Sequence, residues 1–338
     1  MRIFTSVFGD PHSMSGKAAN MTVCIPVYNA MPYLPETLAS VLSQSFRDFQ
    51  ILIIDDGSTD ESFAYLQTLS DPRITLVQQE NVGLTATLNR MLEMVKSGWL
   101  IRQDADDIAL PSRMQRLHEY MERYPDAGMI YSHAAHYQRG ALKGLLMTTP
   151  TDETGLRSFL KTGYLPSICH PSIALRVDAA REIGGYRFDL HVEDYDLYWR
   201  IGLNYDVIMI PETLLGYRMI GGSISAQNSQ KQATNVLFIQ YLLLSELWHR
   251  RSMPYEQAAV VLEGMIDRGN LNFRRHMRSA MVEYGRGAYG AFGLLLGQAV
   301  LASPTSFLKR FLRHKQSPGV GTSPKSFESH ASLLWPNS

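Results

Sequence analysis

Between residues 21 and 133, short apolar and β-branched runs alternate with segments in which apolar side chains return every three or four positions. That alternation predicts strands and amphipathic helices in turn, and so an α/β domain on a mainly parallel sheet. Residues 22–28 (TVCIPVY) read as the first strand. Leu34, Leu38, Val41 and Leu42 then recur at helical spacing around Pro35 and Glu36, and a first helical turn tolerates proline. Residues 49–54 (FQILII) read as a second strand, and the polar turn Asp55-Asp56-Gly57-Ser58-Thr59-Asp60 can cap a helix starting near Glu61. A third strand over 74–77, a helix over 83–96, a fourth strand over 99–103, a helix over 111–124 and a strand over 128–132 continue the pattern. Polar and acidic clusters therefore fall at the carboxyl ends of strands, where open α/β sheets bind ligands.

Beyond residue 137 the pattern is less regular, and residues up to about 228 are expected to complete the same domain. Residues 235–251 open a helical regime that ends in basic residues, so 229–315 are expected to form a helical C-terminal region. The first 20 residues lack the apolar stretch of a secretory signal and read as a disordered leader; 316–338, rich in Ser, Pro and Gly, read as a disordered tail. With 45% hydrophobic residues the chain can bury a sizeable core. Lys plus Arg (32) balance Asp plus Glu (32), so no global field draws the protein to nucleic acid, and any bound anion needs a local site. Cys24 and Cys169 are far apart and form no CxxC pair, which fits a reducing, cytoplasmic setting without a disulfide or zinc framework. Residues 289–302 are interrupted by Gly290, Gly293, Gly297 and Gln298 and fall short of the roughly 20 residues of a spanning helix. The run that follows to Lys315 mixes Phe, Leu, Lys and Arg, as does an interfacial helix on the inner face of a plasma membrane; a helix packed on the domain is the alternative.

Three constellations could carry chemistry. Tyr28, after Pro26 and before Asn29, could lie against a nucleobase while Asp56 accepts from a base imino N–H, although turns use Asn and Asp freely. Asp104, Asp106 and Asp107 follow an apolar strand, and carboxylates so close repel one another unless a cation sits among them. Mg²⁺ or Mn²⁺ bridging a diphosphate suits such hard oxygen ligands; an acidic helix N-terminus is the plain alternative. Arg102, just before the cluster, could orient a carboxylate, help hold a diphosphate, or lie on the surface. Glu193 and Asp194 open a helical segment and could supply a general base, or could merely complement a helix dipole. Neither GxGxxG nor GxxxxGK[ST] occurs, so dinucleotide and P-loop chemistry lack support.

A strand ending in PVYN, then DDGSTD, then DADD, then EDYDLYWR resembles glycosyltransferase family 2, over roughly residues 21–225. The resemblance implies a GT-A fold, a Rossmann-like nucleotide-binding sheet flanked by helices, with a catalytic domain over 21–228. It implies an inverting transfer from a nucleotide-sugar, UDP ahead of dTDP, to an acceptor hydroxyl, and a setting in polysaccharide or lipid-linked glycan assembly. Carried over by position, Pro26, Tyr28, Asn29, Asp56, Asn81, Gly83, Arg102 and Asp104 would bind the nucleotide, Asp106 and Asp104 the metal, and Asp194 would act as base with Glu193 supporting it. Where many relatives have a late Y-R-x-H, this chain has Tyr217, Arg218, Met219 and Ile220, which leaves a third metal contact open. His170 could replace it, line the acceptor pocket with Arg218, or simply pack in the core. A nucleotidyltransferase would be expected to show a Gly-rich basic loop after the first strand, which PVYNAMPYLPE lacks, and an inactive nucleotide-sugar-binding module is the remaining alternative.

Overall fold

The segment MTVCIPV is apolar at every position, and the strand it forms is buried on both faces, as parallel strands covered by helices are. The computed structural model describes residues 3–4, 20–146, 148–150, 152–220, 229–312 and 320–336. The first half runs β1 (Ile3–Phe4), β2 (Met21–Val27), α1 (Leu34–Leu42), β3 (Gln50–Asp56), α2 (Ser62–Leu66), β4 (Ile74–Gln79), α3 (Leu84–Met94), β5 (Trp99–Arg102), β6 (Ile108–Ala109) and α4 (Arg113–Arg123). Then come β7 (Met129–Gln138), β8 (Ala141–Leu145), α5 (Leu156–Leu160), β9 (Ile173–Arg176), α6 (Val177–Glu182), α7 (Glu193–Asn204) and β10 (Val207–Arg218).

One sheet has the order β1-β4-β3-β2-β5-β9-β7-β10-β6, with β8 paired to β7. Strands β4, β3, β2 and β5 are mutually parallel. The chain leaves β2 toward β3 and β4, then returns to pair β5 on the other side of β2, so a switch point opens at the carboxyl ends of β2 and β5. Past β5 the sheet is mixed: β9 is antiparallel to both β5 and β7, and β10 runs parallel to β7. Alternate residues of the central strands feed two cores. Val23, Ile25, Ile51 and Ile53 pack with α1 and α4, whereas Cys24, Leu52 and Ile54 pack with α3 and α7.

The C-terminal region is helical as expected: α8 (Ser229–Leu247), α9 (Tyr255–Gly264), α10 (Arg268–Arg286), α11 (Tyr289–Ala302) and α12 (Pro304–Leu312). The expected disordered tail is corrected over residues 320–336, which form α13 (Pro324–Glu328) and α14 (Ala331–Leu334). Phe327, Leu334 and Trp335 are buried there, the Trp335 ring lies against Tyr241 and Trp248, and Tyr241 Oη donates to Leu334 O at 2.8 Å. Three large buried apolar side chains, with Trp335 packed on Tyr241 of α8, outweigh the Ser/Pro/Gly composition that suggested disorder. The expected leader lies outside the described residues except for Ile3–Phe4, which extend the sheet edge antiparallel to β4, and Asn20, whose Oδ1 accepts from Gly98 N. Among the described residues no helix is long and apolar enough to cross a membrane.

Candidate functional site

Two loops at the switch point fold onto each other. Asn29 turns the chain after β2 with φ of 48°, a left-handed conformation that asparagine tolerates. Its Oδ1 accepts from Thr59 N at 2.7 Å and Asp60 N at 3.3 Å, and its own N–H donates to Ser58 Oγ at 3.0 Å. Asn29 therefore clasps the loop after β2 to the turn after β3, and its side-chain oxygen is occupied in doing so. Pro26 is buried within β2, past the last pairing with β5 at Cys24, where a missing N–H is tolerated. Tyr28, at 53% exposure, is the large apolar side chain that this loop leaves open to solvent.

Asp56 ends β3 and is buried. Its Oδ1 accepts from Gln79 Nε2 at 2.6 Å and Val82 N at 3.0 Å, and its Oδ2 from Gly83 N at 3.0 Å. Three of the four lone-pair positions of the carboxylate are filled, and one on Oδ2 is left. These bonds draw the 81–83 loop inward, with Asn81 exposed. Close approach requires glycine at Gly57, where φ is 74° and a Cβ would come 2.8 Å from Asn81 N; Gly83 has φ of 86°.

Strand β5 delivers the acidic cluster. Arg102, its last residue, is 1% exposed, which overturns the surface alternative: the side chain runs inward, and Nη2 donates to Asp104 Oδ1 at 2.5 Å. Burial opposes its charge, but Asp104, then Tyr186 and Glu193, outweigh burial and hold its pKa above the ordinary value. Its Nε and Nη1 find no partner among the described residues. Gln103 Nε2 donates to Asp104 O and Asp107 O, both at 3.0 Å. Wholly buried Arg113 on α4 donates in turn to Gln103 Oε1 (2.5 Å), Arg102 O (2.7 Å) and Pro171 O (2.6 Å). Arg218 grips the same loop, through its N to Asp107 Oδ1 and its Nε to Asp106 O, each at 2.8 Å. Its Nη2 reaches Glu36 Oε2 at 2.6 Å, and its guanidinium lies over the rings of Tyr33 and Tyr137. So held, Asp104, Asp106 and Asp107 each bring one carboxylate oxygen within 4.8 Å of the others. Burial first, and the Asp104 charge second, push Asp106 up to about 7; Asp107 is raised by burial and both neighbours, and its Oδ2 is buried without a partner among the described residues.

Glu193 and Asp194 open α7 after Val192, and a φ of 56° at His191 turns the chain into the helix. Burial and then the Glu193 charge push Asp194 up to about 8; Glu193 is raised by burial, and Arg102 draws both the other way. Glu193 is buried and Asp194 half-buried, so Asp194 is the more accessible. Asp196, two residues on, is fully buried and ion-paired to Arg187 (2.6 Å) and Arg200 (2.7 Å). His170 Nε2 lies 3.0 Å from Tyr186 Oη, its ring meets Tyr186 and Tyr198, and burial, then Arg102, hold its pKa well below the ordinary value. It is not one of the three side chains whose ligand atoms lie within 4.8 Å of one another. Residues 221–228 of the late motif lie outside the described residues.

Sequence reasoning missed Arg113. Its signal was an arginine on the apolar stripe of its helix, in line with Leu117 and Tyr120.

The sequence profile of the family described as Glycosyl transferase family 2 matches residues 22–184, which contain the PVYN, DDGSTD and DADD segments. The chain carries a glycosyl transferase family 2 domain. The segment holding Glu193 and Asp194 lies just beyond the matched range of that domain. EpsE of Bacillus subtilis, named as a glycosyltransferase, is 29% identical over 188 residues, 53% of this chain and 66% of EpsE, so the chain spans just under two thirds of that relative. The fold is GT-A. It is similar to S. aureus TarS 1-349, solved in complex with UDP-GlcNAc, with a TM-score of 0.54 at 13% identity over 88% of this chain and 93% of that one. It is also similar to the mannosyltransferase PcManGT from Pyrobaculum calidifontis, solved with GDP-Man and Mn²⁺, with a TM-score of 0.52 at 15% identity over 94% and 81%.

Proposed function

We propose that the protein is an inverting glycosyltransferase that moves a sugar from a nucleotide-sugar, with uracil as the preferred base, to an acceptor hydroxyl in polysaccharide or lipid-linked glycan assembly. The observation that carries this reading is the pairing of two carboxylate groups of different character. One is a tight cluster of three aspartates suited to a cation; the other is a half-buried aspartate, Asp194, suited to take a proton.

The donor set fits a hard divalent ion. Asp104, Asp106 and Asp107 offer only oxygen, Asp107 keeps an oxygen without a partner among the described residues, and burial, then their mutual repulsion, raises Asp106 and Asp107 as expected where a positive charge is wanted. Asp106 and Asp104 would hold Mg²⁺ or Mn²⁺, which supplies charge neutralisation on the leaving nucleoside diphosphate. Tyr28 stacks on the base, and the remaining lone pair of Asp56 Oδ2 accepts the imino N–H of uracil, with thymine, which offers the same group, second. Asp194 takes the acceptor O–H proton as that oxygen forms its bond to the anomeric carbon. The bond from that carbon to the diphosphate oxygen breaks on the opposite face, the electron pair leaves with the diphosphate, and configuration inverts. Arg102, between Asp104 and Glu193, keeps the two acidic groups in register.

Calorimetry of UDP, dTDP and GDP, with Mn²⁺ and with EDTA, tests the reading on wild type, Asp56→Ala and Asp106→Asn, alongside hydrolysis of UDP-sugars. Metal-enhanced UDP binding is expected, with base selectivity lost in Asp56→Ala and metal dependence lost in Asp106→Asn. Absence of metal-linked binding of any nucleotide sinks the reading, and binding without donor turnover would make the protein a nucleotide-sugar-binding module.

A further inference from the structure

Helix α11 has no charged residue in its 14 positions, and of these only Ala299 is buried. Tyr289 is 62%, Leu294 66% and Leu301 83% exposed. Tyr284 of α10 meets Tyr289 edge-on and Phe292 at a tilt, so an aromatic cluster lies on the helix that carries the exposed leucines. An apolar face of this extent is unusual on a protein that stays in water.

The charge beside it is one-sided. Over the whole chain basic and acidic residues balance, yet residues 268–312 hold seven Lys and Arg against a single acid, Glu283. Arg274 and Arg275 are exposed on α10, the helix against which α11 packs. Two copies meeting through this face would bring like-charged arginine rows together, whereas an anionic lipid surface would complement both the arginines and the leucines. At about 1.5 Å per residue α11 is roughly 21 Å long, against a hydrocarbon core of about 30 Å, so it suits lying in a bilayer surface and not spanning it.

We propose that α10, α11 and α12 dock the protein on an anionic bilayer, with Tyr289, Leu294 and Leu301 in the headgroup boundary and Arg274 and Arg275 against lipid phosphates. This goes beyond the proposed transfer reaction and needs no turnover to be tested.

The full chain is floated on sucrose gradients with vesicles of phosphatidylcholine alone and of phosphatidylcholine with phosphatidylglycerol. Flotation with the anionic vesicles, weakened by salt, is expected. At least a tenfold drop in partitioning is expected for Leu294→Asp/Leu301→Asp and for Arg274→Glu/Arg275→Glu, while Val260→Asp, an exposed apolar site on α9, floats as wild type. Unchanged circular-dichroism melts show that the variants remain folded, since the replaced side chains are solvent-facing. The proposal is overturned if the protein stays in the soluble fraction with both vesicle types, or if both double variants float as wild type. A concentration-dependent dimer that Leu294→Asp/Leu301→Asp abolishes, without vesicle binding, would overturn it in favour of a second copy.

Discussion

Asp194 and Asp196 stand two positions apart on the first turns of α7, yet their surroundings give them opposite characters. Asp196 is tied to Arg187 and Arg200 and is held wholly inside the domain. Asp194 is pushed up to about 8 by burial and by Glu193, which makes it a stronger base that is half protonated near pH 8 and mostly protonated at neutral pH. A base works only when ionised, so the sign is fixed: kcat/KM should fall as pH drops below about 8 and level off above it. Asp194→Asn should lower kcat by roughly 10²–10⁴-fold and remove that acid limb. A pH profile with saturating Mn²⁺ and UDP-sugar checks both, and a limb that survives in Asp194→Asn would assign the titration to another group. The adjacent pair was visible in the sequence. Which carboxylate is the accessible one was not, because that depends on Arg102 lying buried beside Glu193.

At the scale of elements, α4 shows how far periodicity reaches. Its apolar stripe located the helix to within two residues, but the same stripe contains Arg113, which joins α4 to the ends of β5 and to Pro171. Removing the guanidinium in Arg113→Met leaves Gln103 Oε1, Arg102 O and Pro171 O without that donor in a buried place. We expect a loss of about 3–5 kcal/mol in unfolding free energy, as for breaking a buried charged contact. Because Gln103 carries the carbonyls of Asp104 and Asp107, weaker Mn²⁺ dependence should accompany the loss. Urea denaturation and metal titration of the variant measure the two effects, and an unchanged midpoint would mean that Arg113 is not the pin of this loop. The nucleotide half of the sheet was legible because its parallel strands are uninterrupted apolar runs. The antiparallel insertion of β9 between β5 and β7 was not, since long-range pairing leaves no period in the sequence of residues 137–222.

Across the whole molecule, the final described segment closes the structure instead of trailing from it. Phe327, Leu334 and Trp335 lie among the side chains of α8, and Val320 forms a bridge with Leu165 in the family 2 half. Composition misled here because three well-placed apolar residues decide packing even when their neighbours are Ser, Gly and Pro. At about 1.5–3 kcal/mol for each large apolar side chain taken from water, the segment contributes a large fraction of a typical domain's net stability. Ending the chain at residue 319 should therefore expose Tyr241 and Trp248 and lower the melting temperature by many degrees. A single substitution, Trp335→Ala, should cost about 3–5 kcal/mol. If the segment is a structural clasp and not part of the site, UDP binding by the still-folded Trp335→Ala protein at low temperature should match wild type. Thermal melts followed by tryptophan fluorescence, with UDP calorimetry well below the transition, separate these effects. A variant that melts as wild type would return residues 320–336 to the status of a loose tail, whereas one that melts normally but loses UDP would place them in the site.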